Sequence, residues 1–142
     1  MTLPAREMTE LLRRESCSLV QRLRLWTPAR YAALAPAATG SRADLVHHLA
    51  QAIADAAAAC EGGAPRPLPR LAGDLSLADQ LAVTSDDLAR AHPPDAVAVA
   101  VTAHLLTHRY DLLEEEVPTG LAASLGIDDV LAAGREACDL AT

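Results

Sequence analysis

The sequence predicts an all-α protein, an antiparallel four-helix bundle with a short extra helix near its C-terminal end. Apolar residues make up 51% of the 142 positions, yet Phe is missing and aromatic residues amount to 2%. A core of Ala, Leu and Val suits closely packed helices better than sheets, which favour β-branched and aromatic residues. Apolar residues also recur at helical spacing, in segments separated by Pro and Gly. A chain of this length forms one domain, residues 1–142.

The first two helices have recognisable ends. We predict the first from about 5 to 26, before Pro28, and the stretch TPARYAALAPAATG after it as a connector. The second helix begins at Ser41, whose hydroxyl caps it, with Asp44 three residues later in a capping-box arrangement. It continues through LVHHLAQAIADAAAAC and stops at a Gly-Gly pair.

The second half of the chain follows the same pattern. APRPLPRLAGD is a proline-rich surface link, and a third helix begins at Ser76, again with an acid, Asp79, three residues on. His92 and two prolines end that helix. The fourth spans about 95–116; its VAVAV alternation would also suit a strand, but the continuation LLTHRYDLLEEE favours a helix. A shorter helix after Gly126 closes the chain.

Charge and composition exclude several classes of function. The net charge is −7, the isoelectric point is near 5.1 and basic runs are missing, which argues against binding of nucleic acid or of anionic membranes. No apolar stretch approaches the roughly 20 residues that span a bilayer. The N-terminal segment MTLPAREMTELLRRES carries charges where a signal peptide is apolar, so we expect a cytoplasmic protein. All 12 basic residues are Arg, which together with abundant Ala indicates a GC-rich genome.

The three cysteines, Cys17, Cys60 and Cys138, are an odd count without CxxC spacing. They predict neither a disulfide framework nor a sulfur-type zinc site. Each lies in a predicted helix, where a small buried thiol is the common case.

A histidine pair on the fourth helix is the main candidate for chemistry. On a helical wheel, Val97, Val101 and Leu105 define an inward stripe; His108 falls within it and His104 about 20° outside it. Side chains four residues apart lie close together on one face, so both imidazoles can reach one metal ion. The alternative is that both are core histidines satisfied by hydrogen bonds.

The second helix supplies a third imidazole. His48 borders its apolar stripe, whereas His47 projects from nearly the opposite side, towards solvent. Asp44 precedes His48 by one turn and is a candidate to orient the ring. On the fourth helix, Asp111 is either a similar orienting residue or a surface acid. A site of His48, His104 and His108 with open positions would serve metal-activated water, thiol or carbonyl chemistry.

Other polar residues are assigned to the surface. Arg109 and Tyr110 point away from the inward stripe of the fourth helix, and the acidic residues 114–116 form a solvated helix end. His92 ends a helix before two prolines and is not counted among the ligands. No glycine-rich phosphate loop or nucleophile elbow is present. No catalytic residue beyond the metal ligands is assigned.

The order of three segments resembles the DinB-like and mycothiol-dependent maleylpyruvate isomerase N-terminal domain superfamily. SRADLVHHLA is similar to the segment in which a helix of that family delivers the first metal histidine, SLADQLAVTSDDLARA to the following helix of its actinobacterial members, and HLLTHRYDLL to the later helix with two ligands. Trp26 lies where the family often ends its first helix. The resemblance covers roughly residues 7–126. It departs from the isomerases at His104, where they usually have Glu.

The resemblance implies a four-helix bundle that binds one divalent metal ion through His48, His104 and His108. It further implies a thiol-dependent transferase or isomerase that uses mycothiol or a related thiol, acting on a small molecule. Imidazole ligands alone do not choose among Zn²⁺, Ni²⁺, Mn²⁺ and Fe²⁺. A metal-dependent hydrolase or cyclase is the first alternative. The second is a non-catalytic, homodimeric helical bundle with core histidines; a homodimer would fit either reading.

Overall fold

The computed structural model describes residues 5–35 and 40–113, and this part of the chain is all-α, as predicted. It contains no β-strand there, only an isolated bridge between Leu34 and Ser41. The helices are α1 (Ala5–Leu23), α2 (Pro28–Ala32), α3 (Arg42–Cys60), α4 (Leu77–Arg90) and α5 (Asp95–Leu113), with a 3₁₀ turn at Asp74–Ser76. The predicted helix after Gly126, Cys138 and residues 114–116 lie outside the described residues.

The start of α3 confirms the first predicted cap. The hydroxyl of Ser41 accepts a hydrogen bond from the backbone N–H of Asp44, and the carboxylate of Asp44 accepts one from the N–H of Ser41. The helix ends at Cys60, and Gly62 takes the left-handed conformation at φ 75° that commonly follows a helix end. α4 ends similarly, with His92 at φ 51°.

The second predicted cap is wrong. Ser76 makes no side-chain cap on α4; its hydroxyl donates instead to the carbonyl of Gly73, at 2.6 Å. Asp79 pairs with Arg24 of α1, 3.1 Å away. The 3₁₀ turn before α4 gives Ser76 helical backbone angles, φ −75° and ψ −15°, whereas a capping residue is extended.

The connector after α1 is more ordered than predicted. Thr27 caps the short helix α2, and Tyr31 within it is fully buried. The hydroxyl of Tyr31 donates to the carbonyl of Leu23, at 2.9 Å, and its ring meets Trp26 edge-on at 5.2 Å. This segment therefore closes one end of the core.

The proline-rich link runs back along α3. His47 and Gln51 both contact the backbone of Leu68, and Arg70 reaches Asp44 in the first turn of α3. The link returns to the start of α3, and α4 begins after it. Val83 and Asp87, farther along α4, line one cavity with Ala57 near the end of α3, so the two helices run in the same direction.

The other helix directions follow from side-chain contacts near the helix ends. The guanidinium of Arg42, at the start of α3, donates to the carbonyl of Leu112 at the end of α5, at 3.2 Å, so these two helices are antiparallel. Arg13 and Arg24 of α1 pair with Asp86 and Asp79 of α4 in reverse order, so α1 and α4 are antiparallel too. The predicted antiparallel arrangement thus fails for the neighbours α3 and α4, because the link is long enough to carry the chain back.

The four long helices pack mainly as α1 with α4 and α5, and α3 with α4 and α5. The core is aliphatic and draws on all of them: Leu12, Leu19, Leu23, Val46, Leu49, Ile53, Leu77, Leu81, Leu88, Leu105 and Leu112. Among the described helices, none is both long and apolar enough to cross a membrane.

Candidate metal centre

His104 and His108 meet on one face of α5, as the helical spacing predicts. Their ring centroids are 4.1 Å apart, and both side chains are half-buried. Nδ1 of His108 lies 2.8 Å from the backbone carbonyl oxygen of His104. A carbonyl oxygen only accepts, so Nδ1 carries the proton and Nε2 of the neutral ring carries a lone pair. Ligating histidines are commonly oriented by this kind of backbone hydrogen bond.

Nε2 of His104 is buried without a hydrogen-bond partner. Leaving a buried polar nitrogen unsatisfied costs about 1–3 kcal/mol. Buried polar groups are nearly always hydrogen-bonded, so an exception calls for an explanation such as an ion. If His104 were only a core histidine, a hydrogen bond would satisfy each of its ring nitrogens. Its Nε2 has no such bond.

His48 brings a third imidazole from α3. Its ring centroid is 6.4 Å from that of His104 and 6.3 Å from that of His108, and its side chain is exposed. The antiparallel register fixed by Arg42 and Leu112 places these positions of α3 and α5 side by side. The structure therefore brings the three predicted ligands together at the α3–α5 contact.

Burial keeps the α5 pair uncharged at neutral pH. Desolvation, followed by the proximity of His108 and His48, lowers the pKa of His104 from 6.5 to about 4. Desolvation also lowers the pKa of His108; its backbone hydrogen bond and the negative charge of Asp111 act in the opposite direction. Both rings are therefore neutral at pH 7, the form in which imidazole binds a metal.

The cluster is not closed as it stands. Within residues 5–35 and 40–113, no group of three or more His, Cys, Asp or Glu side chains is arranged so that it could hold a metal ion. Three imidazoles on one tetrahedral ion with N–metal distances near 2.0–2.1 Å have centroids roughly 5 Å apart. The α5 pair is tighter than this and His48 stands further off. Imidazole nitrogens are suitable ligands for a divalent ion. Of the three rings, that of His48 is exposed and can rotate towards the other two.

The two candidate orienting acids differ. The carboxylate of Asp111 is half-buried and acts on His108 through its charge. Asp44 is exposed, and its two oxygens engage Ser41 and Arg70. These contacts lower the pKa of Asp44, chiefly through the backbone hydrogen bond from Ser41. Its predicted role of orienting His48 stays a prediction.

Two surface assignments and one burial assignment need correction. His47 is half-buried rather than solvent-facing, because the proline-rich link covers it, and its Nε2 lies 3.0 Å from the carbonyl oxygen of Leu68. Arg109 is half-buried rather than on the surface: its guanidinium lies 3.3 Å from the carboxylate of Glu15 and 3.1 Å from the hydroxyl of Ser18. Cys17, expected to be buried, is exposed. The local sequence pattern does not predict these environments, because they depend on how distant segments pack.

The link also shapes a groove that does not include the histidines. A cavity of about 430 Å³ lies between α3, α4 and the link segment Arg66–Pro67–Leu68. Its walls are mostly Ala, Pro, Leu and Val, with Glu61 and Asp87 among its charged groups.

Comparisons of the chain with known protein families, with curated proteins and with solved structures gave no match. A function is therefore inferred from the geometry of the three histidines and from the resemblance of their sequence segments.

Proposed function

We propose that this protein is a metal-dependent enzyme of the DinB-like class, a thiol-dependent transferase or isomerase of the mycothiol type, whose metal ion is held by His48, His104 and His108. The observation that carries the proposal is the unpartnered, buried Nε2 of His104 beside the neutral ring of His108. A divalent cation at this point would satisfy both nitrogens.

The proposal includes a four-helix bundle made of α1, α3, α4 and α5. The pairwise packing of α1 and of α3 against both α4 and α5 supports it. In such bundles, metal sites form in the interior from side chains on facing helices. Here the facing helices are α3, with one histidine, and α5, with two.

The chain's own residues prepare the site in distinct ways. The carbonyl of His104 fixes the tautomer of His108 and leaves its Nε2 as the donor atom. The charge of Asp111 favours a positive charge near His108. Packing of α5 removes water from His104, which keeps its ring neutral.

A bound divalent ion would lower the pKa of a coordinated thiol and supply thiolate at neutral pH. His104 and His108 are half-buried, whereas His48 is exposed. The His48 side of the cluster is therefore open to solvent, and a small molecule can approach there. The Arg- and Ala-rich composition, which indicates a GC-rich genome, accords with an actinobacterial source that makes mycothiol. The proposal also includes a cytoplasmic location.

The same donors would also activate water, so a metal-dependent hydrolase or cyclase is the nearest alternative. The rival from another class is a non-catalytic interaction protein, a homodimer in which the histidines only pack. The spacing of His48, wider than a closed site requires, favours that rival.

Metal analysis separates the enzyme from the packing rival. Protein purified without chelator should carry about one metal ion per chain, and the double variant His104→Ala/His108→Ala should carry none. His92→Asn is the matched control, because it removes an exposed histidine from a left-handed position that Asn tolerates. Metal-free wild-type protein that takes up no added Zn²⁺, Ni²⁺ or Mn²⁺, with unchanged folding of the double variant, would overturn the proposal.

A melting experiment then tests the thiol. Mycothiol should raise the Tm of the metal-loaded protein and leave that of the metal-free protein unchanged, since a ligand stabilises only the state that binds it. If mycothiol does not raise the Tm of the metal-loaded protein, the thiol-dependent activity is excluded. The hydrolase or cyclase alternative then remains.

A further inference from the structure

A second concave surface lies between α1 and α4, on a different pair of helices from the histidines. It encloses about 290 Å³. Ser16, Val20 and Ser85 line it and are each at least nine-tenths buried. Arg13 and Cys17 line the same groove and are exposed. The groove therefore combines a buried, partly polar floor with a charged rim that carries two cations, Arg13 and Arg24, and one anion, Asp86.

The hydroxyl of Ser85 has no hydrogen-bond partner although Ser85 is only 5% exposed. Neighbouring buried hydroxyls are satisfied by their own helices: Thr84 donates within α4, and Ser16 donates to the carbonyl of Arg13, at 3.1 Å. A buried hydroxyl is costly to leave unpaired, so the unpaired hydroxyl of Ser85 in the lining of this groove points to a ligand there.

The guanidinium of Arg13 is only loosely engaged on the rim. Its Nη1 lies 3.9 Å from the carboxylate of Asp86, at the limit of an ion pair, and Asp86 is held more closely by Arg90, at 3.0 Å. Arg13 is 47% exposed and offers a planar fork of donors that matches a carboxylate. Val20 and Ala82 line the same groove and provide an apolar wall.

We infer that this groove is a binding site for a small organic carboxylate with a short apolar tail. The carboxylate accepts hydrogen bonds from the hydroxyl of Ser85 and the guanidinium of Arg13, and the tail packs against Val20 and Ala82. The site is independent of the metal centre, so its presence or absence does not bear on the proposed enzyme activity.

The test is a titration of ¹⁵N-labelled protein with butyrate, followed through backbone amide shifts. Butyramide, of the same shape without the charge, is the matched ligand. Saturable shifts should cluster at Ser16, Cys17 and Ser85, with butyramide at least ten-fold weaker. Ser85→Ala and Arg13→Gln should each weaken butyrate by at least five-fold. Arg14→Gln, which removes the same charge from an exposed neighbour outside the groove, should leave it unchanged.

Alkylation of Cys17 locates the ligand independently. Saturating butyrate should slow iodoacetamide labelling of Cys17 and leave the labelling of Cys60 unchanged. The inference is overturned if butyrate causes no saturable shift, if Ser85→Ala and Arg14→Gln bind it equally, or if butyramide binds as well as butyrate. In those cases the hydroxyl of Ser85 meets water only.

Discussion

Nδ1 of His108 donates a hydrogen bond to the carbonyl oxygen of His104, one helical turn earlier, across 2.8 Å. This single contact sets which nitrogen of His108 is free, in a ring whose centroid lies 4.1 Å from that of His104 and 6.3 Å from that of His48. A pair of histidines in this arrangement differs from two core histidines satisfied by hydrogen bonds, because the remaining nitrogen of His104 is buried and unsatisfied.

Substitution of His108 by Asn should keep the hydrogen bond to the carbonyl of His104 and remove the nitrogen that binds the metal ion. The side-chain amide of Asn can still donate to a backbone carbonyl but offers no imidazole nitrogen to a metal. We expect zinc affinity to fall by more than about 100-fold, a larger loss than orienting residues usually cause. Competition with a chromophoric chelator measures the affinity, with His92→Asn as the control. Unchanged zinc affinity in His108→Asn would contradict the assignment of His108 as a ligand.

The pH dependence of stability should report the burial of His104. The pKa of His104 is about 4 in the folded protein, against an ordinary value of 6.5, so between these values the unfolded chain binds the proton more readily. Stability of the metal-free protein should therefore be constant above about pH 7 and fall as the pH drops from 6.5 towards 4, by on the order of 2 kcal/mol after solvent screening.

Urea unfolding at a series of pH values measures this change. The lowered pKa of His108 acts in the same direction. His104→Gln, which does not titrate, should flatten the curve between pH 6.5 and 4. A wild-type curve that is already flat in this window would show that His104 titrates normally.

The two serines that precede α3 and α4 offer a matched pair. Ser41→Ala should destabilise the protein by about 1 kcal/mol, because it removes one half of a complete capping box. Ser76→Ala should cost less than half as much, since Ser76 does not cap α4. Chemical denaturation of both variants gives the comparison, and equal losses would contradict the difference between the two helix starts.

Tyr31→Phe tests the closure of the core by α2. The change leaves the edge-on contact with Trp26 and removes the hydroxyl that donates to the carbonyl of Leu23. We expect a loss of about 1 kcal/mol in the free energy of unfolding, because one buried hydrogen bond is removed while the carbonyl keeps the bond from the N–H of Trp26. A variant as stable as the wild type would indicate that the hydroxyl of Tyr31 adds nothing to the bond that the N–H of Trp26 already gives this carbonyl.

The contrast between Ser41 and Ser76 shows how far the sequence could predict the fold. The spacing of Ser41 and Asp44 is the same as that of Ser76 and Asp79, and both predict a cap. Only the first forms, because the link approaches α4 through a 3₁₀ turn and Asp79 pairs with Arg24 of α1. Local patterns predicted the existence and approximate ends of the four long helices, and tertiary contacts decided the rest.

The candidate site also combines features that local spacing predicts with features that depend on tertiary contacts. The spacing of His104 and His108 depends only on helical geometry, and their meeting on one face of α5 is confirmed. The approach of His48 required the register between α3 and α5, which a contact between Arg42 and Leu112 reveals. The burial of Arg109 against Glu15 joins residues far apart in the chain, so no local signal could have indicated it.

The most direct test of the metal centre is a long-range ¹H–¹⁵N spectrum of the histidine side chains, recorded on metal-free protein at pH 7 and again after one equivalent of Zn²⁺. The proposed metal centre predicts that His108 begins as the Nδ1–H tautomer and that the ring nitrogens of His48, His104 and His108 all shift together at one equivalent, while those of His47 and His92 do not. Zinc that leaves all three rings unchanged, or that shifts His47 or His92 instead, would contradict it.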